Sequence, residues 1–401
     1  MLSVLTVEID PQDAGFDAQR LLRIDRHYAR YVDEGKLPGY LCVIARDGRV
    51  VHVAKAGRRD VEADLPVTDD TLWRIYSMTK PITSVAAMML WEEGAFELKD
   101  PVAKFIPAFA DSRVWAGGSQ QKPLTRAVIE PVRMWHLLTH TAGLTYGFHY
   151  AHPLDGVYRD QGFEFGTPPG MDLSQAVHAW AALPLLFEPG TEFNYSVATD
   201  VLGHAVEMIS GQTLDVFFRE RILGPLGMLD TAFSAVDADR MAALYGPGLT
   251  RNDRLGGVAL QPPAFLSGGG GLVSTAADYH RFTTMLVNGG APLLAPRTLR
   301  YMARNHLPGG AELKAVARPT ISETQNDGMG FGLGFSVVLD PPATKVLCAP
   351  GEIAWGGLAS TAFFVDPGSR VSVQFFTQLA PSSTYPLRSQ LRNLVYQALV
   401  D

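Results

Sequence analysis

The chain has 401 residues and a net charge of −7, and 47% of it is hydrophobic, ample for a large buried core. The acidic balance and the lack of basic runs argue against nucleic acid or an anionic membrane as partner. Met1 to Glu8 lack a basic start, a long apolar stretch and a small-residue cleavage site, and no apolar run is long enough to span a membrane, so a cytoplasmic protein is expected.

Residues 16–34 carry Leu21, Leu22, Ile24, Tyr28 and Tyr31 among charges, the pattern of an amphipathic helix that Gly35 ends. Two β-rich runs, Tyr40 to Ala45 and Val50 to Ala54, flank Asp47-Gly48 and predict a hairpin. Residues 58–76 are polar and irregular until Leu72-Trp73-Arg74-Ile75. Cys42 and Cys348 both sit in apolar runs that read as strands, and buried free thiols are expected rather than a disulfide.

The stretch Ile75-Tyr76-Ser77-Met78-Thr79-Lys80-Pro81 opens a run that is apolar nearly all round, as in a buried helix. Pro81 fits a first helical turn and Gly94 a helix end. Ser77 and Lys80 then share one face. Ser77 would also sit near the positive end of the helix dipole, beside unpaired N–H groups. A serine nucleophile needs a partner for its proton and donors for an oxyanion. Ser119-Gln120-Gln121-Lys122 has the same spacing but lies among glycines and a proline, and residues 117–130 read as loop.

Val132 to Gly143 reads as a short helix stopping at Gly143. Its His136 and His140 stand four apart, but no Glu occupies the HExxH position, and no metal is expected. Residues 145–175 are rich in Gly, Pro and aromatics, among them Tyr146, Phe148 and Tyr150, and suggest a lid or pocket wall. Helices are expected over 173–184, from Asp200 to Ser210, over 213–222 and over 276–288. Residues 235–266 read as irregular. The run Gly268 to Gly271 lacks a following Gly-Lys-Ser/Thr, so a flexible or close-packed backbone is expected rather than a phosphate loop. Phe331 to Val338 reads as one strand, 361–365 and 371–376 as a hairpin, and Leu387 to Val400 as an amphipathic helix.

Strands at both ends with helices between predict an α+β fold: one antiparallel sheet built from both termini, flanked by helices, with a mostly helical second region. Residues 1–76 and 290–401 would form the sheet region. Residues 77–289 would form the helical region, with an active site between the two.

The order Ser77-Met78-Thr79-Lys80, then Tyr195-Ser196-Val197, then Trp355-Gly356-Gly357 resembles the serine β-lactamase and penicillin-binding superfamily, whose motifs are Ser-x-x-Lys, Tyr-x-Asn and Lys-Thr-Gly. More closely, the chain resembles the class C β-lactamase-like carboxylesterases, the family VIII esterases. The stretches Leu137 to Leu144, Pro189 to Ser196, Pro225 to Met228 and Gly269 to Ala276 add to the likeness, which runs from about residue 16 to the C-terminus. The chain contains no Gly-x-Ser-x-Gly elbow of the α/β-hydrolases.

The resemblance implies a β-lactamase/transpeptidase-like fold and a serine carboxylesterase without cofactor, acting on small or short-chain esters through an acyl-Ser77 intermediate. Lys80 and Tyr195 would handle the serine proton, and either could be the base. The N–H groups of Ser77 and Leu358 would form the oxyanion hole, and Gly356 and Gly357 would let substrate approach the strand. Trp355 replaces a cation that can hold a substrate carboxylate, and Val197 replaces an amide. Both departures favour uncharged esters over lactams and peptides. Tyr146, Phe148 and Tyr150 are candidates for the pocket. A monomer or weak homo-oligomer is expected. The alternatives are an acyltransferase, a β-lactamase or D,D-peptidase-like enzyme, and a non-catalytic binding member.

Overall fold

The hairpin around Asp47-Gly48 forms the N-terminal half of the central sheet. Its strands are β1 (Gly39–Arg46) and β2 (Arg49–Asp60), and β3 (Leu65–Pro66) pairs beyond them. The other five are β4 (Met329–Phe331), β5 (Ser336–Val338), β6 (Ile353–Gly356), β7 (Ala362–Asp366) and β8 (Val371–Phe376). The strand order is β4-β5-β6-β7-β8-β1-β2-β3, antiparallel throughout. The two ends of the chain meet where β8 lies beside β1, with Leu41 opposite Phe376 and Ile44 opposite Val373. These details come from a computed structural model that describes residues 5–318 and 327–400.

Five helices position the site: α1 (Ala18–Asp33), α2 (Thr79–Glu92), α3 (Ala198–Ser210), α4 (Ala276–Val287) and α5 (Leu387–Tyr396). Alternation along the strands sorts side chains to two faces. Phe364, Val373 and Phe375 face α1 and α5. There the Tyr28 ring lies 4.6 Å from Phe375, and its hydroxyl donates to Leu387 O at 2.9 Å. Phe363 and Val365 face the body of the molecule, where Tyr279 of α4 packs 5.5 Å from Phe363. Behind α4, every residue of α2 from Thr79 to Leu90 is buried, and α3 packs along it. The all-round apolar run is therefore a central helix, wrapped on every side.

Several local readings need correction. Residues 113–127 form a hairpin, Arg113–Ser119 with Lys122–Ala127, not a loop. Most of its side chains are at least partly exposed, so no apolar alternation marks it. Ser119 and Lys122 flank its turn, where the Lys122 N–H donates to Ser119 Oγ. Phe331 to Val338 is two strands, because the chain doubles back through Gly334 (φ +109°). Residues 145–175 include a helix, Pro153–Asp160. Cys42 is buried and Cys348 half-buried, and Cys348 lies in the connection before β6 rather than on a strand.

Candidate active site

A 3-10 turn, Tyr76–Met78, leads directly into α2 and carries Ser77. The short strand Trp73–Arg74 pairs with Val273–Ser274 on the way in, and the Ile75 N–H donates to Leu272 O. Tyr76 is held at φ +43°, a left-handed conformation that costs about 1–3 kcal/mol for such a side chain and persists only where the surroundings impose it. Downstream, Tyr279 of α4 donates to Met78 O at 3.0 Å. Ser77 is thus fixed from both sides, in a turn rather than within the helix proper. Its N–H lies at a helix start, and among the described residues it donates to no backbone carbonyl outside its own helix.

Lys80, one turn further on, is 1% exposed. Its Nζ lies 3.3 Å from Ser77 Oγ, 3.1 Å from Tyr146 Oη and 2.6 Å from Gly269 O. On the other side of the serine, Tyr195 Oη lies 2.6 Å from Ser77 Oγ. Tyr195 stands in the extended approach to α3. Its carbonyl contacts His149 Nε2 at 2.6 Å, and Asn194 beside it donates to Leu144 O at 2.9 Å. The Lys80 ammonium also lies 4.6 Å from the Tyr195 ring centroid.

Trp355 on β6 packs its ring 5.5 Å from Tyr195 and 5.2 Å from Phe331. Leu358 follows two residues after the strand, and among the described residues its N–H donates to no acceptor. The glycines between them line the same cavity, and the space that a Cβ on either would take is occupied. A Cβ on Gly357 would lie 2.4 Å from Ile75 O and 2.3 Å from Thr361 Oγ1. One on Gly356 would lie 2.3 Å from the Arg388 guanidinium. A Cβ on either glycine would thus meet protein, while the bare backbone of both borders the cavity. The bare backbone of Gly357 lets the end of β6 close against the turn that holds Ser77. Gly357→Ala is therefore expected to overpack by about 1–3 kcal/mol and to displace the Leu358 N–H. A thermal melt would show a small drop, while kcat would fall about 10²-fold. An unchanged kcat would show that this contact does not align the site.

Ser77, Tyr146, Phe148, Tyr195, Trp355 and Leu358 all line one cavity of about 650 Å³. Val197 and the two glycines line it as well. Tyr150 does not belong there. It is 61% exposed, bonds Glu164, and has the Arg159 guanidinium 3.9 Å from its ring centroid. The lining also includes Phe163 and Phe165 of the same aromatic segment, together with Trp180 and Phe265, which the sequence reading did not name. Tyr146, Phe148 and Phe165 stack in sequence, with centroids 4.6 and 5.5 Å apart. Segment 145–175 thus supplies one aromatic wall.

Electrostatics at the site follow from burial. Burial pushes the Tyr146 phenol well above its usual range, and Asp200 and Tyr195 add to this. It also pushes His140 well down, helped by the nearby Lys80 charge. His136 is pushed down to about 3 by burial, with Arg133 adding. His136 Nδ1 accepts the Arg133 N–H at 3.0 Å, and His140 Nδ1 lies 3.3 Å from Ser196 Oγ. Both imidazoles thus have structural partners, and among the described residues no cluster could hold a metal ion. Asp200 is the functional-looking group that sequence reasoning missed. It is a buried carboxyl raised by burial and pulled back by Lys80. A carboxylate in the first turn of an apolar helix was the signal.

The family model described as Beta-lactamase matches residues 24–397. The chain is 36% identical over 361 residues to Protein Rv1367c of Mycobacterium tuberculosis, covering 87% of this chain and 88% of that one. It is 32% identical over 410 residues to Esterase EstB of Burkholderia gladioli, covering 97% and 98%. Among solved structures, EstCE1, described as a hydrolase with promiscuous acyltransferase activity, superposes with a TM-score of 0.82 at 30% identity over 96% of this chain and 99% of that one.

Proposed function

We propose that this chain, which belongs to the Beta-lactamase family, is a serine carboxylesterase that hydrolyses small esters through an acyl-enzyme on Ser77. One observation carries the assignment: Ser77 Oγ sits between Tyr195 Oη at 2.6 Å and Lys80 Nζ at 3.3 Å, at the wall of an apolar cavity. Esterase EstB, by its name, and EstCE1, described as a hydrolase, support the reaction class.

In this reading Tyr195 is the base. An ammonium has three donors and no acceptor, and Lys80 faces three oxygens, on Ser77, Tyr146 and Gly269. Lys80 is thereby placed as a hydrogen-bond donor to Ser77, and Tyr195, on the other side of the serine, is left as the group that takes its proton. Ser77 Oγ attacks the ester carbonyl carbon as its proton passes to Tyr195. The oxyanion that forms is met by the N–H groups of Ser77 and Leu358. On collapse the C–O bond to the alcohol breaks, and the alcohol leaves with the proton from Tyr195. Water then attacks the acyl group, again losing its proton to Tyr195, and Ser77 takes that proton back as the acid departs.

The substrate is proposed to be uncharged. Trp355 and Val197 are buried and apolar where the lactam-binding branches carry Lys and Asn, so neither offers a charge or an amide to a substrate. An alcohol in place of water would give acyl transfer, a second reading favoured by the description of EstCE1. A cytoplasmic monomer or weak homo-oligomer is part of the same proposal. It is supported by two free cysteines, which suit a reducing compartment, and by the acidic balance. No helix among the described residues is long and apolar enough to cross a membrane. The direct comparison is p-nitrophenyl butyrate against nitrocefin. The ester is expected to turn over with at least about 10²-fold higher kcat/KM, about 2.7 kcal/mol in barrier. Faster nitrocefin hydrolysis would overturn the esterase reading.

A further inference from the structure

Asp200 stands in the first turn of α3, five residues after Tyr195, and is 3% exposed. Its Oδ1 accepts the Ser267 hydroxyl at 2.6 Å and the Gly269 N–H at 2.9 Å. The carbonyl of the same Gly269 accepts Lys80 Nζ at 2.6 Å. From the opposite side, α2 pins the glycine run. Thr83 Oγ1 donates to Gly268 O at 2.6 Å, and the Leu272 N–H donates to Thr79 Oγ1 at 3.1 Å. The run Gly268 to Gly271 is therefore a strap, with a buried carboxylate on one side and the site's ammonium on the other. Close packing explains its composition, since a Cβ on Gly269 would lie 2.5 Å from Asp200 Oδ2.

We propose that Asp200 is a positioning residue, which acts through this strap to hold Lys80 as an ammonium beside Ser77, so that the serine proton passes to Tyr195. The inference rests on the reading of Ser77, Lys80 and Tyr195 given above. A buried ammonium needs both hydrogen-bond acceptors and a counter-charge. Ser77, Tyr146 and Gly269 supply the acceptors, and Asp200 supplies the charge. The groups facing this pair from the other elements are Tyr195 and Tyr146, with His140 near Lys80 and His149 on the Tyr195 carbonyl. Burial pushes both histidines down, and among these groups Asp200 is the carboxylate.

Asp200→Asn keeps the shape and one acceptor but removes the charge. Losing a nearby negative charge makes every neighbouring proton easier to lose. Both limbs of a pH–rate profile should then move to lower pH. The rate of Ser77 modification by a fluorophosphonate, followed against pH, reads this without any knowledge of the natural ester. The expected result is a shift of about one pH unit in both limbs for Asp200→Asn. Gly269→Ala should slow labelling about tenfold and move the limbs the same way, because displacing the strap takes an acceptor from the Lys80 ammonium. A purely structural Asp200 would lower the rate without moving the limbs, and that result overturns the inference. If Asp200→Asn does not fold, Gly269→Ala decides: slowed labelling with both limbs at lower pH supports the inference, and an unchanged rate or unmoved limbs overturns it. A wild-type chain that is not labelled at Ser77 would instead overturn the reading of the site itself.

Discussion

Ser77→Ala is expected to abolish ester turnover, with kcat falling by about 10⁴-fold or more, over 5 kcal/mol of barrier. The substitution removes a single oxygen. Its partners are Tyr195 and Lys80, both of which keep other contacts: Tyr195 packs against Trp355 and His140, and Lys80 bonds Tyr146 and Gly269. The thermal midpoint should therefore fall by only a few degrees, since each of the two hydrogen bonds lost contributes about 1 kcal/mol net. Loss of activity with retained stability separates a nucleophile from a packing residue. Turnover within tenfold of wild type would mean that another group attacks the ester.

Tyr195→Phe has the next largest expected effect, about 10²- to 10⁴-fold in kcat. The ring would stay where it is, held 4.9 Å from His140, 5.5 Å from Trp355 and 4.6 Å from the Lys80 ammonium. Only the hydroxyl 2.6 Å from Ser77 is lost. KM should change little, because the hydroxyl acts on the serine proton rather than on bound ester. Tyr146→Phe is the matched comparison. That hydroxyl meets Lys80 at 3.1 Å and forms no bond to Ser77, so the loss should stay below about tenfold. Equal losses in the two variants would place the proton on Lys80 rather than Tyr195.

The candidate site was legible in the sequence because two strong patterns agree. The run after Ser77 is apolar on all sides, which only a central helix tolerates, and the structure buries all of it from Thr79 to Leu90. Tyr195 and Trp355 were found by motif order, and both line the cavity with Ser77. The sheet was legible from the Asp47-Gly48 turn and the β-branched runs at both ends.

What escaped has physical reasons. The 113–127 hairpin is largely solvated, so nothing forces the alternation that betrays a half-buried strand. Tyr150 reads like its aromatic neighbours, but a left-handed residue (φ +53°) turns the chain and leaves its ring at the surface. The space beside Gly356 and Gly357 is filled by Arg388 and Ile75, residues distant in sequence, and no local pattern announces such an approach. Asp200 looked like an ordinary acid at a helix start. Its contact with the glycine run, more than sixty residues later in the chain, appears only in three dimensions.

In the proposed reaction the acyl group passes through Ser77. Rapid mixing with a short-chain p-nitrophenyl ester, followed by acid quench and peptide mass analysis, tests it directly. The expected result is a burst of about one equivalent of nitrophenol per chain, and an acyl group on the peptide carrying Ser77 that is absent from Ser77→Ala. An acyl group on any other residue, or turnover with no acyl-enzyme at any quench time, would contradict it.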